Sequence, residues 1–505
     1  MSDNKNDSIS QNLNVNLEYI KEKFSYPKNV GFVIRECNVQ FADGFAKAFL
    51  AFFDGMTNQN NMNRDILQTL ILNNSKISIM ENRNDAIYKS LISVAPLSIK
   101  TKMSDALAGI SFGECAVFVD GCNCMFMADV KGWQSRSVSQ PTSEASLTGP
   151  QEAFVESIMT NLALVRKILK TPDLVAERTA VGNTSKTPIA IMYLKGVTNR
   201  KIVKEVRRRL SNIDVEYVFS SGDIEMLIEK NTFFPMTHTL KTERPDKVAA
   251  MLADGKVVVI VQGSPFALVL PTTAGDLIEA TEDNYVRVPE ANMMRVIRIL
   301  GMALSLLLPG CFVAIMLYHQ EIIPTDLLLA IEASREKVPF PLVFELIIME
   351  FAFELIKEAS IRVPSPIGSS LGIIGGLILG QAAVEANIVS PILIIIVSIA
   401  GLGSFATPSV ALSRSISLLR FIYIIVGACG GLLGVVCGII INLALMASST
   451  SYGVPFLSPL ITSKNSDSVA GSLFVKPIWK KENRPSDLHP QDPKKQPHIS
   501  RKWQN

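Results

Sequence analysis

LAFFDGMTN, from Leu50 to Asn58, returns as IMYLKGVTN from Ile191 to Asn199, 141 positions further on. Each stretch is an apolar run of strand character, then a glycine (Gly55, Gly196), then Thr-Asn ahead of a helical pattern. A second pair keeps nearly the same spacing. GECAVFVDGCNCMFMADV from Gly113 and GKVVVIVQGSPFALVLPT from Gly255 lie 142 apart, each an apolar run, a turn glycine (Gly121, Gly263) and a second apolar run. Two unrelated segments that agree on one offset predict two copies of a single α/β unit, each with a strand, a crossover helix and a hairpin. The copies are expected over about residues 30–140 and 185–285. In the second, Ile202, Val203, Val206 and Leu210 share one helical face while Lys201, Lys204, Arg207, Arg208 and Arg209 fall mostly off it, as on a helix covering a sheet.

Working outward, the rest of the chain changes character. Of 505 residues 48% are apolar and 19% charged, and the apolar ones are concentrated in the second half. Uncharged runs extend over 22 positions from Ile299 to Gln320, 22 from Val363 to Val384, 28 from Ala386 to Ser413 and 43 from Phe421 to Ser463. Crossing a hydrocarbon core takes roughly 20 helical residues, so four spans are expected. The fold class that follows is an α/β cytoplasmic region of two related subdomains and then an all-α polytopic membrane domain. The expected division is a disordered polar N-terminus over 1–29, a first subdomain over 30–147, a linking helix over 148–184, a second subdomain over 185–290, a transmembrane domain over 291–447 and a basic, proline-rich tail over 448–505.

Several function classes are disfavoured. The opening MSDNKNDSISQNLNVN has neither the basic nor the apolar region of an export signal, so the soluble half is expected to stay in the cytoplasm with its seven cysteines reduced. Four histidines, and the one-residue spacing of Cys122 and Cys124, suit no usual metal centre, and no cofactor motif stands out. A P-loop, a GxSxG elbow and a GxGxxG after a strand are all missing, which argues against an enzyme. Net charge is +3, divided as +5 after Thr462 and −2 before it. That basic tail reads either as a solvated end or as a cytoplasmic contact with anionic lipid; nucleic acid has no further support.

The membrane half carries its own patterns. Gly368, Gly372, Gly376 and Gly380 recur every fourth residue, and Gly430, Gly434 and Gly438 repeat the device, so a neighbouring backbone can approach closely. Opposite the first glycine stripe lie Ser370, Ile374, Leu377, Gln381 and Glu385, with Val384 beside the last two. These are candidates for a pore face with an apolar collar, or, for Gln381 and Glu385, for interfacial capping. PFPLVFELIIMEFAFELIKEASIRVP, from Pro339, embeds Glu345, Glu350, Glu354 and Lys357 in an apolar helix. It reads either as an interfacial helix with Glu354 and Lys357 paired or as an inner helix along a wet path.

TERPD (Thr242 to Asp246), SPFALVLPTT (Ser264 to Thr273), TNLALVRKILKTPDL (Thr160 to Leu174), the Pro339 helix and the ending PHISRKW (Pro497 to Trp503) together resemble the A subunit of the GerA-type spore germinant receptors, from about residue 15 onward. The resemblance implies a protein of the inner spore membrane that triggers germination by releasing monovalent cations in response to nutrients. It implies a homo-oligomer, a pentamer, working with a transporter-like B subunit and a lipoprotein C subunit. A relative of the stage V sporulation AF type, with the same architecture but no receptor role, is the alternative, as is a non-conducting scaffold.

Overall fold

The computed structural model describes residues 7–41, 44–72, 83–94, 96–132, 141, 144, 148–232, 234–362, 380–459 and 474–496. The chain forms two units: an α/β region, 1–230 with 239–271 and 478–505, and a helical unit, 231–238 with 272–477.

The first copy begins earlier than its polar composition suggests. Helix α1 (Leu13–Lys23) is capped by Asn12, whose side chain accepts from the Asn14 N–H. Leu13, Leu17, Ile20 and Phe24 bury one face of it beside Phe49, Phe53 and Phe118. The described part of the expected leader, residues 7–29, is therefore docked rather than disordered: four apolar residues at helical spacing are enough to hold it. Strands β1 (Phe32–Phe41) and β2 (Gly44–Phe53) form a long hairpin, with Phe32 opposite Phe53. Along β2 the side chains alternate: Phe49, Ala51 and Phe53 face the α1 side, Leu50 and Phe52 a second core with Ile66 and Leu70. After β3 (Leu97–Lys100) and α2 (Met103–Ser111), strands β4 (Cys115–Val119) and β5 (Met125–Ala128) complete an antiparallel sheet in the order β1-β2-β4-β5-β3.

The second copy repeats that order strand for strand. Helix α3 (Ile158–Ile168) leads into β6 (Leu174–Val181), β7 (Thr187–Leu194), α4 (Arg200–Ser211), α5 (Ser221–Ile228), β8 (Leu240–Thr242), α6 (Pro245–Ala253), β9 (Val257–Val261) and β10 (Ala267–Leu270), arranged β6-β7-β9-β10-β8. The repeated motifs occupy equivalent places. Gly55 and Gly196 end β2 and β7 at φ +82° and +81°, in the left-handed region that favours glycine. Asn58 and Asn199 then cap the following helices. On α4 the basic face is solvated and paired, Arg207 with Glu177 at 2.7 Å and Arg209 with Glu205 at 2.9 Å.

The segment between the copies departs from the expected helix. It is helical only from Ile158, where the Ser157 side chain accepts from Thr160 N–H, and Leu174–Val181 is already the first strand of the second sheet. The stretch before α3 is held instead by TERPD. Phe154 N–H donates to Glu243 O at 2.7 Å. The buried Arg244 pairs with Asp246 at 3.0 Å and donates to Pro150 O at 2.8 Å and Glu144 O at 3.2 Å. The copies meet at Asn29, which donates to Leu174 O (3.2 Å) and accepts from Ala176 N–H (3.1 Å) and from Arg166 (3.0 Å). Arg166 lies over the Phe53 ring, and burial pushes its pKa down to about 9.

In the helical unit, α7 (Val288–Tyr318), α8 (Thr325–Arg335), α9 (Leu342–Arg362), helical residues 380–385, α10 (Pro391–Phe405) and α11 (Val410–Ser448) follow one another. Two of these, α7 and α11, are long and apolar enough to cross a membrane, whereas α10 has only 15 residues. The 43-position uncharged run does not form one continuous helix, because α11 breaks at Gly431 (φ 58°, ψ −152°). Beyond the break the chain doubles back. Asn442 Nδ2 reaches Tyr423 OH at 3.5 Å, whereas a continuous helix would separate those residues by about 28 Å. Tyr318 packs on Gly431 and donates its OH to the freed carbonyl of Ala428 at 2.8 Å. The two limbs, 410–430 and 432–448, measure about 31 and 26 Å at 1.5 Å per residue. Both outer ends return to the same place: Ser415 Oγ donates to Pro235 O, and Ser451 Oγ donates to His238 O at 3.0 Å and accepts from Thr272 N–H at 3.3 Å.

A charged ladder inside the helical unit

Helix α9 places its charged residues on a path through apolar surroundings. Glu350 and Arg420 are both fully buried, and Arg420 Nη1 donates to Glu350 Oε2 at 2.6 Å. The same guanidinium donates from Nε to Ser305 O at 2.8 Å, and from Nη2 to Ser305 Oγ at 2.6 Å and Ala400 O at 3.3 Å. One side chain of α11 thus ties together α7, α9 and α10, with the planar fork that makes arginine suited to several fixed acceptors. More than a turn before Glu350 on α9, buried Glu345 accepts from Ser390 N–H and lies 3.7 Å from Arg335 Nε. On the other side of Glu350, Lys357 Nζ donates to Ser413 (3.2 Å), Ser417 (3.4 Å) and Ser404 (3.5 Å) and lies 3.9 Å from Glu354.

From Glu345 to Lys357 the ladder rises about 18 Å along the helix. Glu345 Oε2, Glu350 Oε1 and Glu354 Oε1 have no hydrogen-bond partner among the described residues. Glu345 Oε2 nevertheless faces Arg335 at 3.7 Å and Glu354 Oε1 faces Lys357 at 3.9 Å, which leaves Glu350 Oε1 as the least answered of the three. Buried acceptor oxygens are costly in apolar surroundings unless water or a cation meets them. Chemically, the arrangement can receive cations or ordered water while the Arg420 pair holds the helices in place.

The helices around the ladder touch through glycines. A Cβ on Gly403 would lie 2.3 Å from Gly301 O, and one on Gly427 2.5 Å from Gly310 O. At both crossings α7 meets its neighbour, α10 or α11, backbone to backbone.

The family described as "Bacillus/Clostridium GerA spore germination protein" matches residues 18–487. The chain belongs to the GerA family. Spore germination protein KA of Bacillus subtilis is 37% identical over 96% of this chain and 88% of its own length. Spore germination protein A1 of the same organism is 35% identical over 95% and 96%, and the uncharacterized membrane protein YfkQ 32% over 96% and 93%. The N-terminal domain of the A subunit of the Bacillus megaterium spore germinant receptor GerK3 covers 52% of this chain at 33% identity, with a TM-score of 0.41.

In this GerA-family chain the residues singled out from sequence fall in different places. Glu345, Glu350, Glu354 and Lys357 form the ladder; Glu345 and Glu350 are buried, and Glu354 and Lys357 lie 3.9 Å apart, the pairing expected of them. Gln381 and Glu385 are exposed, and Val384 packs against the cluster of Leu346, Leu393 and Val397. Gly380 lies 3.7 Å, measured from an added Cβ, from Ile394. Gly434 and Gly438 face the first limb of α11, while Gly430 has open space within 4 Å. Gly368, Gly372, Gly376, Ser370, Ile374 and Leu377 lie outside the described residues. Sequence reasoning passed over Arg420 as a counter-ion. The signal was a lone arginine directly before the 43-position uncharged run. It also passed over Gly301, Gly310, Gly403 and Gly427, which form no four-residue register.

Proposed function

We propose that this chain is the A subunit of a spore germinant receptor: a multi-pass protein of the inner spore membrane that assembles into a homo-oligomer and supplies the ion-conducting part of a nutrient-gated complex. Its partners in this reading are a transporter-like B subunit and a lipoprotein C subunit, and it performs no covalent chemistry. The observation that carries the reading is the ladder on α9, three carboxylates and a lysine set along an apolar helical unit, with Glu350 Oε1 lacking a hydrogen-bond partner among the described residues, in a chain whose relatives are spore germination proteins. A scaffold that only anchored a soluble domain would have no use for such costly groups. The reversal at Gly431 supports a pair of antiparallel crossings. Contacts of residues 484–495 with the α/β region support a cytoplasmic tail on the same side as that region, and hence an even number of crossings.

The test is electrical. Purified protein reconstituted in planar bilayers is expected to pass monovalent cations when its partner subunits are present. Glu354→Gln, which removes one carboxylate of the ladder without emptying the buried Arg420 pair, is expected to reduce that current several-fold. Silence with and without partners would overturn the conducting role.

A further inference from the structure

The two α/β copies differ in what covers one turn. In the first copy the chain leaving β5 runs straight along the turn after β2: Asn58 N–H donates to Val130 O at 2.7 Å, and Gly132 N–H donates to Met56 O at 3.0 Å. Thr57 and Lys131 form an antiparallel bridge between them. The approach is close, since a Cβ on Gly132 would lie 2.6 Å from Asn58. In the second copy this route is closed, because the chain leaving β10 at Leu270 passes into the helical unit at Thr272.

The acceptor equivalent to Met56 O is Val197 O, and it is not left bare. Gln491 N–H donates to it at 2.8 Å, Gln491 Nε2 donates to Thr198 O at 3.0 Å, and Asn199 Nδ2 donates to Leu488 O at 3.2 Å. The segment that supplies these contacts is itself shaped for the task. Arg484 N–H donates to Pro493 O at 2.8 Å and Lys495 N–H to Glu482 O at 2.7 Å, closing a loop with Leu488 buried at its tip. Arg484 Nη1 braces the loop through Asp492 O at 2.8 Å, while its Nε reaches out to Ala253 O at 2.9 Å. Lys495 pairs with Asp254.

We propose that residues 478–496 are a releasable strap: the second copy carries a peptide-docking edge at 196–199 and 253–255, and this chain's own C-terminal segment fills it where residues 130–132 fill the equivalent edge in line. Two features make the strap the part of the α/β region that opens first. Its tether to β10 runs through the whole helical unit, whereas Gly132 follows β5 by four residues, so docking the strap closes a far longer loop. It is also held mainly by hydrogen bonds and partly exposed ion pairs around one buried leucine, the composition of a low-stability local unit. Opening it frees the chain leaving the helical unit and the turn of the second copy together. This inference stands on the α/β region alone and does not rest on the conducting role.

The test uses the full chain in detergent, a chain stopped after Pro477, and a labelled synthetic peptide of residues 478–496. Truncation is expected to speed hydrogen exchange at 195–199 and 253–256 at least tenfold and to leave 55–58 unchanged. The peptide is expected to bind the truncated chain, restore its protection and ignore the intact one. Unchanged exchange, or a peptide that binds both chains alike or neither, would overturn the proposal. If the truncated chain does not fold, full-length Arg484→Ala carries the test: the amides of Gln491 and Lys495 should exchange at least tenfold faster than in the unaltered chain, and equal rates would refute the strap.

Discussion

Each unit of the molecule buries an arginine beside a carboxylate, and two of these pairs, Arg244–Asp246 and Arg420–Glu350, are solved differently. Arg244 in the α/β region meets Asp246, two positions away, through both Nε and Nη2, and spends its remaining donors on the carbonyls of Glu144 and Pro150. Arg420 in the helical unit meets Glu350, 70 positions away, through Nη1 alone, and its other donors go to Ser305 and Ala400. The first is a local motif that fastens a loop. The second is a long-range bond that gathers four helices, and Glu350 Oε1 has no hydrogen-bond partner among the described residues. A buried pair of either kind gains little over apolar packing, but losing one partner strands a charge.

That contrast sets the largest expected effect. Arg420→Met should destabilise the helical unit by about 3–5 kcal/mol, because Glu350 is then buried without a counter-ion. Adding Glu350→Leu should recover most of the loss, as measured by denaturant unfolding in detergent. A double variant no better than the single would show that the serine and carbonyl contacts, not the ion pair, hold the helices.

Arg244→Met should cost about 3 kcal/mol by the same reasoning, but here the rescue is expected to be poor. With Asp246→Leu added, the carbonyls of Glu144 and Pro150 still lose their donors and the segment ahead of α3 loosens. Proteolysis near residue 150 would report it. Rescue as complete as in the helical unit would erase the distinction between the two arginines.

A smaller effect separates glycines that pack from those that do not. Gly310→Ala puts a Cβ 2.7 Å from Tyr423 O and should cost about 1–3 kcal/mol as overpacking. Gly430→Ala meets nothing within 4 Å, and helix propensity predicts a gain of up to about 1 kcal/mol. Thermal unfolding of the two variants should move in opposite directions.

The smallest effect is on α4, where the carboxyl of Glu205 is held down to about 2, first by its hydrogen bond with Arg208 and then by Arg209. A carboxylate with a depressed folded-state pKa contributes above its unfolded value and loses that contribution as pH falls toward the folded one. Melting of the α/β region should therefore soften between about pH 4.5 and 2, and Glu205→Gln should flatten that part of the profile slightly, since the pair is mostly exposed.

These cases also mark how far the sequence could be read. Gly55 and Gly196, Asn58 and Asn199, and the paired apolar runs announced the duplication, because a turn glycine, a helix cap and strand alternation are all local requirements of the backbone. TERPD was visible only through the family resemblance, not through any backbone requirement. The docking of α1 was equally local, yet four apolar residues among polar ones were outweighed by composition.

The sequence alone therefore determined the two α/β copies, the apolar helices after them and the acidic character of α9, since each follows from spacing within a few residues. Only the tertiary structure decided that Arg420 answers Glu350, that α11 reverses at Gly431 under Tyr318, and that Gln491 completes the turn at Val197. In each of those the partners are separated by between 70 and 294 positions or the deciding feature is a single φ value. No periodicity encodes a contact of that range; it exists only once the elements have packed and one burial has excluded the alternatives.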